Sequence, residues 1–94
     1  MNKGDYPTEE ELQRIKEWDY NDFTGLMDFI YNIWNYADCG YWAQTENMYE
    51  ISTGGWSGNE DIIQAMKENT MFWMMCWGMS RRGGHYLFEV PQMK

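Results

Sequence analysis

Few residues in this chain are equipped for chemistry, and most of them fall in two short stretches. RRGGH at 81–85 holds the chain's one pair of adjacent arginines together with its single histidine. Guanidinium forks bind phosphates and carboxylates in bidentate fashion, so this stretch can recognise an anion. STGGWSGNE at 52–60 crowds glycines, an indole, a hydroxyl, an amide and a carboxylate into the approach to an amphipathic run. A glycine-rich entry to a helix exposes backbone amides at the positive end of the helix dipole, where anions bind.

Two readings of STGGWSGNE compete. In the structural one, Ser57 and Glu60 make an S-x-x-E capping box, Gly54 and Gly55 supply positive φ angles at a strand exit, and Trp56 is a hydrophobic staple. In the functional one, Gly54, Gly55, Trp56, Ser57 and Asn59 contribute to a ligand site completed by Arg81, Arg82, His85 and Tyr86, provided the later turn packs beside the start of the helix. Glu60 and Asp61 oppose an anion at that helix end, and no Lys follows in the manner of a P-loop. Arg81 and Arg82 in turn fit an exposed, solvated hairpin turn equally well.

Catalysis needs a nucleophile or an acid–base pair in one place. Glu60 and His85 are the candidate pair, but nothing in their spacing requires them to meet. The chain is therefore expected to have no catalytic residues and no cofactor. Cys39 and Cys76 lack CxxC spacing, which with one histidine excludes a Cys- or His-rich structural zinc site. Cys76, inside MFWMMCW, reads as a small buried hydrophobe.

The elements that position these residues are legible in outline. Ninety-four residues suit one folding unit, 1–94, with 1–6 as a loose leader. Aromatics make up 18% of the chain, too much apolar surface for disorder. Thr8 and Glu11 form a capping box for a helix from about Glu9 to Trp18, with Leu12 and Ile15 facing inward. Asp19 or Asn21 caps a second helix, in which Phe23, Leu26, Met27, Ile30 and Trp34 recur at helical spacing. The 37–40 stretch breaks it. Strands follow near Tyr41–Gln44 and Met48–Ser52, either as a hairpin or as one bent strand.

Asn59 to Glu68 is a third helix with Ile62, Ile63 and Met66 as its apolar stripe and Asn69 as a left-handed stop. MFWMMCWGM at 71–79 is apolar almost throughout, which predicts a strand covered on both faces and central in the sheet. Arg81 to Gly84 then turns the chain into HYLFEV, and Pro91 closes that strand. The expected class is α+β, a small antiparallel or mixed sheet of three to four strands with three helices, in the order α-α-β-β-α-β-β.

Charge bears on partners. The net charge is −8, and residues 1–38 hold nine acids against three bases. Phosphate backbones are bound by cationic surfaces, so this balance argues against direct nucleic-acid binding. It favours a partner whose own surface is basic. Glu9, Glu10, Glu11, Glu17, Asp19, Asp22 and Asp28 are the acids of the first two helices that would form such a face; simple solubility is the alternative. The longest apolar run, Met71 to Trp77, is too short to span a bilayer, and no secretory signal pattern opens the sequence. A soluble cytoplasmic protein is expected, without a membrane partner. The apolar 71–79 segment leaves homodimerisation open, because so short a chain has little material to cover it twice.

Residues 49 to 90, YEISTGGWSGNEDIIQAMKENTMFWMMCWGMSRRGGHYLFEV, resemble small uncharacterised proteins of tailed bacteriophages and prophages, in which a TGGWSGNE-type loop, a helix, an FWxxCW segment and an RGGHY-type hairpin follow one another. The resemblance spans a little under half the chain and omits the acidic N-terminal helices. It implies a phage-encoded accessory protein in the cytoplasm of an infected bacterium and carries no activity with it. Joined to the charge, it gives the leading expectation: a protein that binds a host component, in its sharpest form an anti-defence inhibitor, anti-CRISPR-like, occupying a basic nucleic-acid-binding surface. A small-ligand binder for a phosphorylated nucleotide or signal, built from the TGGWSGNE loop and the RRGGHY hairpin, is the alternative. A minor phage structural or assembly protein is a further one.

Overall fold

The computed structural model describes residues 6–34, 37 and 40–90. Residues 1–5 of the expected leader, Cys39 and the closing role of Pro91 lie outside the described residues. The fold is α+β: helix α1 (Glu9–Lys16), a 3-10 turn (Tyr20–Asp22), α2 (Phe23–Ile33), strands β1 (Trp42–Thr45) and β2 (Met48–Ser52), α3 (Ser57–Glu68), α4 (Thr70–Cys76), β3 (Trp77–Arg81) and β4 (His85–Glu89). The four strands form one antiparallel sheet in the order β1-β2-β4-β3.

Local rules account for much of this. The Thr8 hydroxyl accepts from the Glu11 amide at 3.1 Å while the Glu11 carboxylate accepts from the Thr8 amide at 2.8 Å, which is the expected capping box at the start of α1. Helix α1 stops at Lys16, short of the expected Trp18. Asp19 caps the 3-10 turn, and Asp22 takes the cap of α2 by accepting from the Gly25 amide at 3.2 Å. The apolar stripe Phe23, Leu26, Met27, Ile30 and Trp34 is fully or almost fully buried, as its spacing required. Strands β1 and β2 are joined by a tight turn in which Glu46 takes φ 55°.

The 71–79 segment departs from the expected central strand. Thr70–Cys76 is a helix, and Trp77–Arg81 is an edge strand with every residue exposed. Asn69 begins the helix by accepting the Phe72 amide on its side chain at 3.1 Å; its φ of −84° is not the left-handed stop expected after α3. Phe72 and Cys76, one helical turn apart, are the buried pair, whereas Met71, Met74 and Met75 face solvent. With apolar residues on all sides the 3.6-residue period carries no contrast, so the run reads as a doubly covered strand. The described residues thus form four α-helices rather than the expected three.

The core lies between the helices and one face of the sheet. Tyr49 and Ile51 of β2 and Phe88 of β4 point into it, alternating with exposed Met48, Glu50 and Glu89. Aromatic contacts cement the layers: Phe72 of α4 packs against Phe23 of α2 (centroids 5.2 Å apart) and Phe88 (5.5 Å), and Trp34 meets Trp42 at 5.8 Å. Asn69, nearly buried, donates its side-chain amide to the Ile15 carbonyl at 2.9 Å and so ties the end of α1 to the α3–α4 junction. Helix α1 packs on α3, where Lys16 pairs with Glu68 at 3.3 Å. No helix among the described residues is long and apolar enough to cross a membrane.

Candidate functional site

The two motif stretches meet at their ends. Ser52 is paired with His85 across β2 and β4, and one residue further on the Thr53 amide donates to the Gly84 carbonyl at 3.0 Å. Gly83 and Gly84 take φ of +85° and +81°, the turn expected of RRGG. Beyond Thr53, however, the loop and the hairpin diverge.

The loop turns inward and satisfies its own backbone. Gly54 donates to the Ser52 hydroxyl and Gly55 to the Thr53 hydroxyl, each at 3.3 Å, while the Trp56 amide reaches the Thr53 carbonyl at 3.0 Å. Buried Asn59 donates its side-chain amide to that same carbonyl at 3.3 Å. The expected positive φ angles are present at Gly54 (+61°) and Gly55 (+79°). The Ser57–Glu60 capping box is not formed: Trp56 holds the N-cap position of α3 without a side-chain cap bond, and Ser57 is already inside the helix. These bonds satisfy the amides of the loop that leads into α3.

The hairpin instead faces the sheet surface opposite the core, which carries no helix among the described residues. There a cleft of about 330 Å³ crosses all four strands. Arg81, Arg82, His85 and Tyr86 border it, whereas Gly54, Gly55, Trp56, Ser57 and Asn59 do not. The other walls come from Ser52, the first residue of the STGGWSGNE stretch, and from residues that the motifs do not contain: Tyr41 and Ala43 of the β1 side, Glu50 of β2, Met79 of β3 and Leu87 of β4. The strand register explains the grouping. Ala43, Glu50, Leu87 and Met79 stand in one row across the sheet, and Ser52, His85 and Arg81 in another at its end.

Electrostatically the cleft is divided. Arg81, Arg82 and His85 concentrate at the hairpin end, and Glu50 stands on the inner β2 strand in the adjoining row. The Arg81 Nε donates to the Met79 thioether at 3.4 Å, which draws its stem along the strand. An anionic group is favoured at the hairpin end and a hydrogen-bond donor beside Glu50. Glu60, the expected partner of His85 in an acid–base pair, lies in the first turn of α3 and does not border the cleft. Among the described residues no group of three or more His, Cys, Asp or Glu side chains could hold a metal ion.

The acids of the first two helices occupy consecutive elements. Glu9, Glu10, Glu17, Asp19, Asp22 and Asp28 are exposed and Glu11 is half-exposed. Glu11, Asp19 and Asp22 also act as helix caps, and Glu17 accepts from the Gln13 side chain. A second hollow, of about 380 Å³, lies between the start of α2 and the β1–β2 turn; its charged residues, Asp22 and Glu46, are both acidic.

The chain matches no protein-family model, no curated protein and no solved structure.

Proposed function

We propose that this is a binding protein without catalytic activity, and that the cleft on the helix-free face of its sheet holds a small ligand with an anionic group. The observation that carries this reading is the gathering of Arg81, Arg82 and His85 around one cleft in a molecule of net charge −8. Clefts of a few hundred cubic ångströms with a few convergent polar groups on an apolar floor are the usual form of small-molecule sites. The ligand class is a phosphorylated or carboxylated compound, its anion on the arginines and a hydroxyl or amine on Glu50. The resemblance of residues 49–90 to small bacteriophage proteins supports a setting in an infected bacterium, where such a protein would capture a nucleotide or signal.

Titration calorimetry with inorganic phosphate and a panel of nucleoside mono- and diphosphates tests the reading. Saturable binding that is lost in Arg81→Ala, with the fold intact by circular dichroism, supports it. Heats that are absent across the panel, or that survive in Arg81→Ala, remove it.

A second reading is favoured by the exposure of the acids along α1, the 3-10 turn and α2. That surface would dock on the basic groove of a host nucleic-acid-binding protein, as an anti-defence inhibitor does. Reversing Glu9, Glu10 and Asp28 to Lys would then abolish inhibition while leaving phosphate binding in the cleft untouched.

A further inference from the structure

From the edge strand β3 and the exposed face of α4, we infer that the chain associates with a second copy of itself, β3 against β3, into a two-fold dimer with one continuous sheet. Three observations converge on this surface. Among the described residues strand β3 pairs with β4 alone, so its outer edge offers backbone groups for pairing, and all five of its residues are exposed. Large exposed apolar side chains recur on β3 and on the helix that leads directly into it: Met71, Met74, Trp77 and Met79, Met74 being 76% exposed, whereas Met75 lines the second hollow. Such clustering of Met and Trp marks interaction surfaces.

Charge selects the partner. No acidic residue occurs between Asn69 and Phe88, although the chain carries fifteen acids in all. Two molecules of net charge −8 repel one another through most of their surface, and this is where they can meet without carboxylate facing carboxylate. Arg81 and Arg82 sit at the far end of the strand, so antiparallel pairing carries each copy's arginines away from its partner's. They arrive instead beside the partner's Trp77 end, where an indole is a favourable neighbour for a guanidinium. The other edge strand, β1, is exposed as well but lacks the large apolar side chains and the acid-free surroundings: its residues after Trp42 are Ala43, Gln44 and Thr45, with Glu46 next and Glu50 beside Ala43.

The register shift at Trp77/Met79 leaves Met79 to Arg81 as the regular part of the strand. Backbone pairing is therefore short, and packing of Met79 against its counterpart and of Met74 and Trp77 against the partner's arginine end supplies much of the contact. The surface is distinct from the cleft except at Met79 and the arginines, and the inference does not rest on any ligand.

Sedimentation equilibrium on the full chain decides it. The wild-type protein is expected at twice the monomer mass, the double variant Met74→Glu/Met79→Glu at the monomer mass with an unchanged circular dichroism spectrum, and Ala43→Glu on β1 as a dimer. A wild-type monomer up to about 1 mM, the weak end of specific association, overturns the inference. A folded double variant that stays dimeric overturns it equally, since the contact would then lie elsewhere. Should the double variant lose its fold, Met74→Lys alone serves, as Met74 is the most exposed of these side chains, and retention of the dimer there counts against the β3 contact.

Discussion

Thr53 and Gly84 join the two motif stretches. The Thr53 amide donates to the Gly84 carbonyl at 3.0 Å, and a Cβ added at Gly84 would come within 2.1 Å of the Thr53 hydroxyl oxygen. With φ at +81° and no room for a methyl group, position 84 is suited to glycine on two counts. Gly84→Ala is expected to destabilise the protein by about 2–3 kcal/mol, from the disfavoured backbone and the clash together. At Gly83 the same added atom meets only the His85 ring, 3.5 Å away, so Gly83→Ala should lose about 1 kcal/mol from backbone strain alone. Urea denaturation of the pair measures the difference.

Asn69 is the polar link between the helices. Its side chain donates to Ile15 and Trp18 carbonyls at 2.9 and 3.3 Å and accepts the Phe72 amide at 3.1 Å. Asn69→Ala removes all three from a nearly buried site and should destabilise by about 2–3 kcal/mol in chemical denaturation. Asn69→Asp keeps the cap but turns a carboxylate oxygen toward the Ile15 and Trp18 carbonyls in a nearly buried site, so it should destabilise at least as much as Ala.

The two sequence-predicted capping boxes should behave differently. Thr8→Ala removes a formed box and should lose about 1 kcal/mol. Ser57→Ala removes a hydroxyl that makes no cap bond, and a change within about 0.5 kcal/mol is expected. Thermal unfolding of both variants in parallel checks this; an equal loss in the two would mean that Ser57 does cap α3.

Burial pushes the Cys76 thiol up to about 12 and raises the Tyr49 phenol in the same direction, through its own burial first and the nearby Asp28 charge second. Both groups hold their protons more tightly folded than unfolded. The stabilisation is complete below the unfolded thiol pKa, near 8.5, and is lost as pH rises from there toward 12, by up to about 1.4 kcal/mol per pH unit from Cys76. Denaturation midpoints measured from pH 8 to 11 should fall steadily. Alkylation of Cys76 at pH 8 should be slow in the native protein and rapid in denaturant, because the thiolate is the reactive form.

In the proposed site, Arg81→Ala and Arg82→Ala should each weaken anion binding at least tenfold while changing stability by less than about 0.5 kcal/mol, as both side chains are exposed. Glu50→Gln should strengthen phosphate binding by removing a carboxylate that borders the cleft. Calorimetric titration of the three variants reads both effects.

Contrast along the chain determined what the sequence alone could deliver. Thr8 and Glu11 marked the start of α1, Phe23 to Trp34 marked the buried side of α2, and Gly54, Gly55, Gly83 and Gly84 marked turns, because each rests on neighbours within one or two helical turns. Where contrast vanished, at Met71 to Met79, local patterning could not separate a buried strand from a helix followed by an exposed edge. The choice fell to Asn69, which caps α4 and also bonds to α1, a partner more than fifty residues away. The site divided in the same manner. Arg81, Arg82 and His85 stood out by their side-chain chemistry, whereas Tyr41, Ala43, Glu50, Met79 and Leu87 joined them only through the pairing of β2 with β4 and of β4 with β3. Strand neighbours in space are set by burying one face of the sheet under the helices, and that constraint acts on the whole chain at once.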